Sequence, residues 1–178
     1  YRRQRQMCIR DRSGTWLAYV GLQGLNLQGA NLNHANLTSS ILSGMNLSGV
    51  DFSSAYLDGA QMANVNLSGA SLNETSLVGT NLTGASVRNA NIWVANFSTA
   101  NLTNADFTGT FADNVWAYQT VYSNTTCPDG AIANGADTAC FPGNPNVQSN
   151  NGCRKLGMCG SLSRPYAVRA ERRFAPAR

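Results

Sequence analysis

ANLNHANLTSS, residues 30–40, brings Ala-Asn-Leu round again after five residues. That spacing suits neither common element, because a helix repeats its apolar face every 3.6 residues and a strand every 2. Followed outward, the period holds from Leu17 to Phe107: nineteen positions at steps of five, all apolar and thirteen of them Leu. Leu27, Leu47, Leu67, Leu72, Phe97 and Phe107 are among them and are the candidate core. A chain that is 43% hydrophobic does not fill nineteen such positions by chance, so the sequence is an internal repeat. Two residues before each of these the site is small, with Ala at ten of sixteen positions from Ala30 to Ala105. The site between is Asn or Asp at eleven of seventeen positions from Asn26 to Asp106. The last two sites carry mostly Ser, Thr, Gly and Asn, residues that reverse the chain.

This pattern resembles the pentapeptide-repeat family, whose motif is A-(D/N)-L-X-X, across residues 15–109 without an insertion. The resemblance implies an all-β fold, a right-handed quadrilateral parallel β-helix (a solenoid) of about five coils, with one pentapeptide per side. A large apolar residue on each side then fills the axis of a narrow tube, and the Ala beside it fits where a larger group would collide. At a strand spacing of ~4.8 Å the rod is about 23 Å tall. Asn residues one coil apart are expected to stack into ladders, as in cross-β assemblies.

The 178 residues divide into three parts. Residues 1–12 hold five Arg, no repeat signal and no signal-peptide hydrophobic region, and read as a non-native or disordered basic segment. Residues 13–123 are the repeat and its closing coil. Residues 124–178 are a loop-rich tail with Cys127, Cys140, Cys153 and Cys159, disordered at its basic end. After Phe107 the bulky residues shift by one: Phe111, Trp116 and Val121 keep the spacing of five but leave the Leu17 series. The expectation is that Phe111 and Trp116 cap the open end of the core, since a solenoid must cover its last coil.

The four tail cysteines allow three disulfide pairings, of which Cys127–Cys140 with Cys153–Cys159 is the local one. A zinc site from all four thiolates is one rival, but its cysteine pairs are normally separated by two to four residues, and these gaps are wider; free thiols are the other. The tail also resembles that of bacterial secreted members of the family, where a Cys pair follows the helix. Disulfides imply an oxidising compartment, so an extracellular or periplasmic location is expected.

Catalysis finds no support. The single histidine, His34, falls on one corner with Ser54, Glu74 and Val94 when residues twenty apart are stacked. A triad needs its His between nucleophile and carboxylate, whereas here Ser54 lies in the middle, and His34 and Glu74 would be about 9.6 Å apart. Neither a cofactor nor a metal site is expected. No apolar run reaches membrane-spanning length. Between residues 13 and 111 there is one base, Arg88, against Asp51, Asp58, Glu74 and Asp106. The rod therefore lacks the basic stripe of a nucleic-acid binder, and no nucleic-acid partner is expected. Some members of the family imitate DNA and act as topoisomerase inhibitors or protectors, but four acids are too few for the dense anionic surface that mimicry demands.

What remains is a non-enzymatic structural or protein–protein interaction module with an unknown protein partner. Val78, Trp93, Val94, Ile41 and Tyr56 break the polar rule at outward sites, and Trp93, Val94 and Val78 are the candidate patch. Either the tail folds back over them, or they form a docking patch, or they are singly exposed.

Overall fold

The computed structural model describes residues 13–134 and 140–141. Residues 1–12, Cys153, Cys159 and the basic end of the tail lie outside the described residues.

The five-residue period begins in the backbone. Every fifth residue from Gly14 to Asn124 has a positive φ, between 52° and 80°. The N–H of the following residue closes a four-residue turn: the Ala30 amide donates to the Leu27 carbonyl at 2.9 Å, and the Ala55 amide to Phe52 at 2.9 Å. A positive φ at the third residue of such a turn is the type II signature, which favours Gly and tolerates Asn. That explains why one variable site of the repeat is so often Gly or Asn. Two β-branched residues depart from this, Thr99 at φ 58° and Val94 at φ 57°; the Cβ of Val94 there meets the following carbonyl and costs about 1–3 kcal/mol. Replacing it by Asn, which visits this region more readily, should raise the stability by about 1 kcal/mol in a denaturant titration. An unchanged or lowered midpoint would show that Val94 gains more from packing than it loses to strain.

Between turns the chain is extended for too few residues to form long strands, and pairs with the neighbouring coil by single parallel bridges. Each parallel bridge joins residues twenty apart: Trp16 with Asn36, Asn36 with Tyr56, Asn91 with Phe111, and so on to Asp106 with Thr126. Four turns therefore separate paired residues, which makes the tube four-sided. Each coil donates and accepts in the stacking direction, as when the Leu67 amide bonds the Ser86 carbonyl at 2.7 Å and the Asn66 amide bonds Met45 at 3.0 Å.

Inside, every fifth residue from Leu27 to Phe107 has 0% exposure. The small sites are buried beside them. Where Thr replaces Ala there, its hydroxyl can bond to the preceding coil, as Thr75 does to the Phe52 carbonyl at 2.8 Å and Thr80 to Leu57 at 3.0 Å, whereas the buried hydroxyls of Thr110 and Ser40 have no such partner. A buried hydroxyl without such a partner would cost more than the Ala it replaces. The Asn and Asp sites work mainly within their own turn rather than as ladders. Asn46 Oδ1 accepts from the Ser48 amide at 3.1 Å, Asn66 from Ser68 at 3.0 Å and Asp51 from Ser53 at 2.9 Å. Asn–Asn bonds between coils join Asn66 to Asn46 at 3.2 Å and Asn124 to Asn104 at 2.9 Å.

At the C-terminal end the structure corrects the expected cap. The register does not slip. Phe111, Trp116 and Val121 pair with Asn91, Asn96 and Asn101, so they occupy the outward Asn site and are 61%, 43% and 51% exposed. The inward series continues through Ala112, Ala117, Tyr122 and Cys127, with the last three buried. Alanines fill the axis poorly, and Phe141 supplies the missing volume. It is 2% exposed, stacked on Phe97 at 5.8 Å and edge-on to Phe107 at 5.2 Å between ring centroids. A disulfide between Cys127 and Cys140 holds it there, with the Cα atoms 4.9 Å apart. The rod ends in a short antiparallel pair, β1 (Thr125–Thr126) with β2 (Ile132–Ala133), Thr125 opposite Ala133.

Candidate functional site

Because successive side chains of an extended segment alternate, each side of the tube shows two outward residues that flank one core residue. In chain order the first face carries Trp16, Asn36 and Tyr56, the second Gly21 and Ile41, the third Asn46, Asn66, Ser86 and Asp106, and the fourth Asn31 and Asp51. On the fourth face, the side lined by Asn31, Asp51, Ser71, Asn91 and Phe111, Trp93 and Phe111 both point away from the core and are 40% and 61% exposed. They sit on neighbouring coils two positions apart, the diagonal relation that separates residues by about 7–8 Å. Trp93 is fixed by its backbone: its amide bonds Asn91 Oδ1 at 3.2 Å and its carbonyl accepts from Glu74 at 2.8 Å. Val94 follows at the corner, with its amide on the Asp113 carbonyl at 2.9 Å, and is half-buried. Val78 does not join them. It lies two residues after Ser76 on the side that carries Tyr56 and Asn96, a different face.

Sequence reasoning missed Phe111 as a member of this patch because its size suggested the cap. The signal was present in Ala112, Ala117, Tyr122 and Cys127, which continue the Leu17 series at steps of five.

The corner expected to stack His34, Ser54 and Glu74 does so. The Ser54 amide bonds the Asn73 carbonyl at 2.8 Å, and the Ser54 hydroxyl donates to Glu74 Oε2 at 3.4 Å. The carboxylate thus accepts directly from the serine with no imidazole between, and the arrangement cannot relay a proton as a triad does. Among the described residues no three His, Cys, Asp or Glu side chains gather as metal ligands, and no helix is long and apolar enough to cross a membrane.

Charge is sparse and largely engaged. On the third face Arg88 Nε donates to Asp106 Oδ2 at 2.6 Å, and Asp106 Oδ1 accepts from the Thr108 amide and hydroxyl. Partial burial works to raise the Asp106 pKa, but the Thr108 bonds and the Arg88 guanidinium outweigh it and hold the carboxyl below its ordinary value. On the first face Asp58 accepts from the Ser76 hydroxyl and, at 3.0 Å, from the Val78 amide. Beneath the end of the rod, burial pushes the Tyr122 phenol well up, so it stays protonated.

The family profile described as pentapeptide repeats matches in eight copies, over residues 17–53, 51–89 and 80–115. No curated protein sequence matches the chain. Among solved structures, it is similar to HetL, a pentapeptide repeat protein involved in heterocyst differentiation regulation from the cyanobacterium Nostoc. That match has 28% identity and a TM-score of 0.51, and covers 69% of this chain and 62% of that one. A pentapeptide repeat protein of the Arabidopsis thaliana thylakoid lumen matches at 28% identity and a TM-score of 0.43, over 54% of this chain and 70% of that one. QnrB1, a plasmid-mediated fluoroquinolone resistance protein, matches at 13% identity and a TM-score of 0.48, over 65% of this chain and 70% of that one. The chain thus spans a little under two thirds of HetL's length. The five-residue turns, the twenty-residue pairing and the profile agree, and the chain belongs to the pentapeptide-repeat family, whose members form right-handed quadrilateral β-helices.

Proposed function

We propose that the chain is a non-enzymatic interaction module, a rod of about five coils that docks a protein partner through Trp93, Val94 and Phe111 on its fourth face. The carrying observation is the exposure of Trp93 and Phe111 on adjoining coils of one flat side. Aromatic residues presented on a stiff surface lose little entropy when they become buried, which suits them as anchors. An extracellular or periplasmic location belongs to the same proposal and is supported by the Cys127–Cys140 disulfide.

The test is site-specific photo-crosslinking in the source cell, with the crosslinking amino acid at position 93 or 111 and a control at Ser48 on the third face. One protein captured from 93 and 111 and absent from the control is expected, and Trp93→Ala should weaken its binding roughly 30-fold. Identical capture from all three positions would refute the assignment.

The second reading, a DNA-mimicking protector or inhibitor of topoisomerase, needs a continuous anionic face. Asp51, Asp58, Glu74 and Asp106 are dispersed over three of the four sides, and Asp106 is paired with Arg88. Unaltered supercoiling by bacterial gyrase, with and without a fluoroquinolone, is the outcome that favours interaction over mimicry.

A further inference from the structure

The first face is different in kind from the fourth. Trp16, Asn36, Tyr56, Ser76, Asn96 and Trp116 follow one another along it in a single file of parallel bridges. Of the seven exposed aromatic side chains among the described residues, five lie on this side: Trp16, Tyr19, Tyr56, Trp116 and Tyr118. Their exposures run from 43% to 76%. Nothing in the core requires them, since Leu57 and Ala117 hold the inward places beside Tyr56 and Trp116.

We infer that this face binds an extended, uncharged polysaccharide of β-1,4-linked hexose rings. Three observations carry the assignment. The first is spacing. Trp16 and Tyr56 are two coils apart, about 9.6 Å, and Tyr56 and Trp116 three coils apart, about 14.4 Å. An extended β-1,4-linked chain advances by nearly one coil height per sugar, so all three aromatic rings meet sugars of one straight chain. Aromatic faces are apolar platforms with a polar tip on Tyr and Trp, which matches the apolar face and hydroxyl rim of a pyranose.

The second is the lining between the rings. Asn36 and Asn96 keep Oδ1 on the amides of Thr38 and Ser98 at 3.0 Å each. Their side-chain amides are thereby oriented, and Nδ2 is a donor in a fixed place for sugar hydroxyls. The third is charge. Asp58 is the only charged side chain on this face among the described residues, and it is already engaged by Ser76 and Val78. A nucleic acid or anionic glycan would find no cation to neutralise it, whereas a neutral polymer needs none. The backbone ladder fixes the spacing before binding, which lowers the ordering cost. This surface is separate from the Trp93 patch, and either can fail without the other.

The experiment is retention of the full chain on insoluble cellulose and chitin, followed by titration with cellohexaose and chitohexaose. Retention on one of the two polymers is expected, with the hexamer binding more tightly than the corresponding trimer, which spans only one interval between rings. Tyr56→Ala and Trp116→Ala should each weaken hexamer binding about tenfold, the loss expected for one stacked ring. Both variants should keep the far-UV spectrum of the parent, because the substituted side chains are exposed. Trp93→Ala should bind as the parent does. No retention on either polymer would overturn the proposal. Equal binding to heparin, or binding indifferent to Tyr56 and Trp116, would overturn it as well, pointing in turn to a charge-driven or an unrelated surface.

Discussion

Leu67→Asp should abolish the folded state. Leu67 has 0% exposure on the axis of the tube, with Leu47 and Val87 one coil away on either side in the same file. A carboxylate there loses its hydration and gains no partner, a cost of more than about 5 kcal/mol. The damage would not stay local. Each coil is stabilised by contacts with its neighbours, so a break at Leu67 leaves short stacks on either side, each with two open ends. Ser68→Asp is the matched control one residue on. Ser68 is partly buried at the surface, with its hydroxyl 3.1 Å from that of Ser86, and its replacement should change stability by about 0.5 kcal/mol or less. Thermal melts read by far-UV circular dichroism compare the two. Equal loss in both variants would show that the inward and outward sites are misassigned.

Phe141→Ala should have the next largest effect, about 3–5 kcal/mol by the usual cost of emptying a buried Phe site, and it should be confined to one end. Phe141 contacts Phe97, Phe107 and Tyr122, all in the last coils. Hydrogen exchange is the suitable readout. The amides of Trp116, Val121 and Thr126, which bond the carbonyls of Ala95, Ala100 and Ala105 at 2.9 Å, should lose protection. Those of Asn36 and Tyr56, which bond Thr15 and Ala35, should not. Reducing Cys127–Cys140 should act in the same direction, since the bond closes a loop of 13 residues' separation and contributes about 3 kcal/mol through the unfolded chain. Protection at Trp116 and Val121 that survives Phe141→Ala would mean the end of the rod is closed by something else.

The two ends of the core were not equally legible. From Leu17 to Phe107 a large apolar residue at every fifth place leaves no competing arrangement, so the sequence alone identifies the axis. In the closing coil the bulky side chains occupy the neighbouring outward site, so size there does not signal burial. Phe111 and Trp116 are larger than Ala112 and Ala117, yet the backbone decides which face each presents. The turn residues carried the better signal: Asn114 and Asn124 continue the positive-φ series without interruption. Phe141 was out of reach for a different reason. Its position depends on a cross-link to Cys140, outside the periodic segment, and a local repeat says nothing about where such a residue returns. The surface patch fell between these cases. Trp93 stood out against a polar background, but linking it with Phe111 required the register of the last coil, and Val78 was grouped with it before the faces were known.

Everything proposed for the surface depends on that register, and hydroxyl-radical footprinting with residue-level mass spectrometry tests it most directly. Trp16, Tyr56, Trp93, Phe111 and Trp116 are expected to be oxidised readily in the native protein, while Phe97, Phe107, Tyr122 and Phe141 are protected until it unfolds. Protection of Phe111 and Trp116 together with oxidation of Tyr122 and Phe141 would contradict it, placing the aromatic residues of the last coil inside the tube and removing the docking patch.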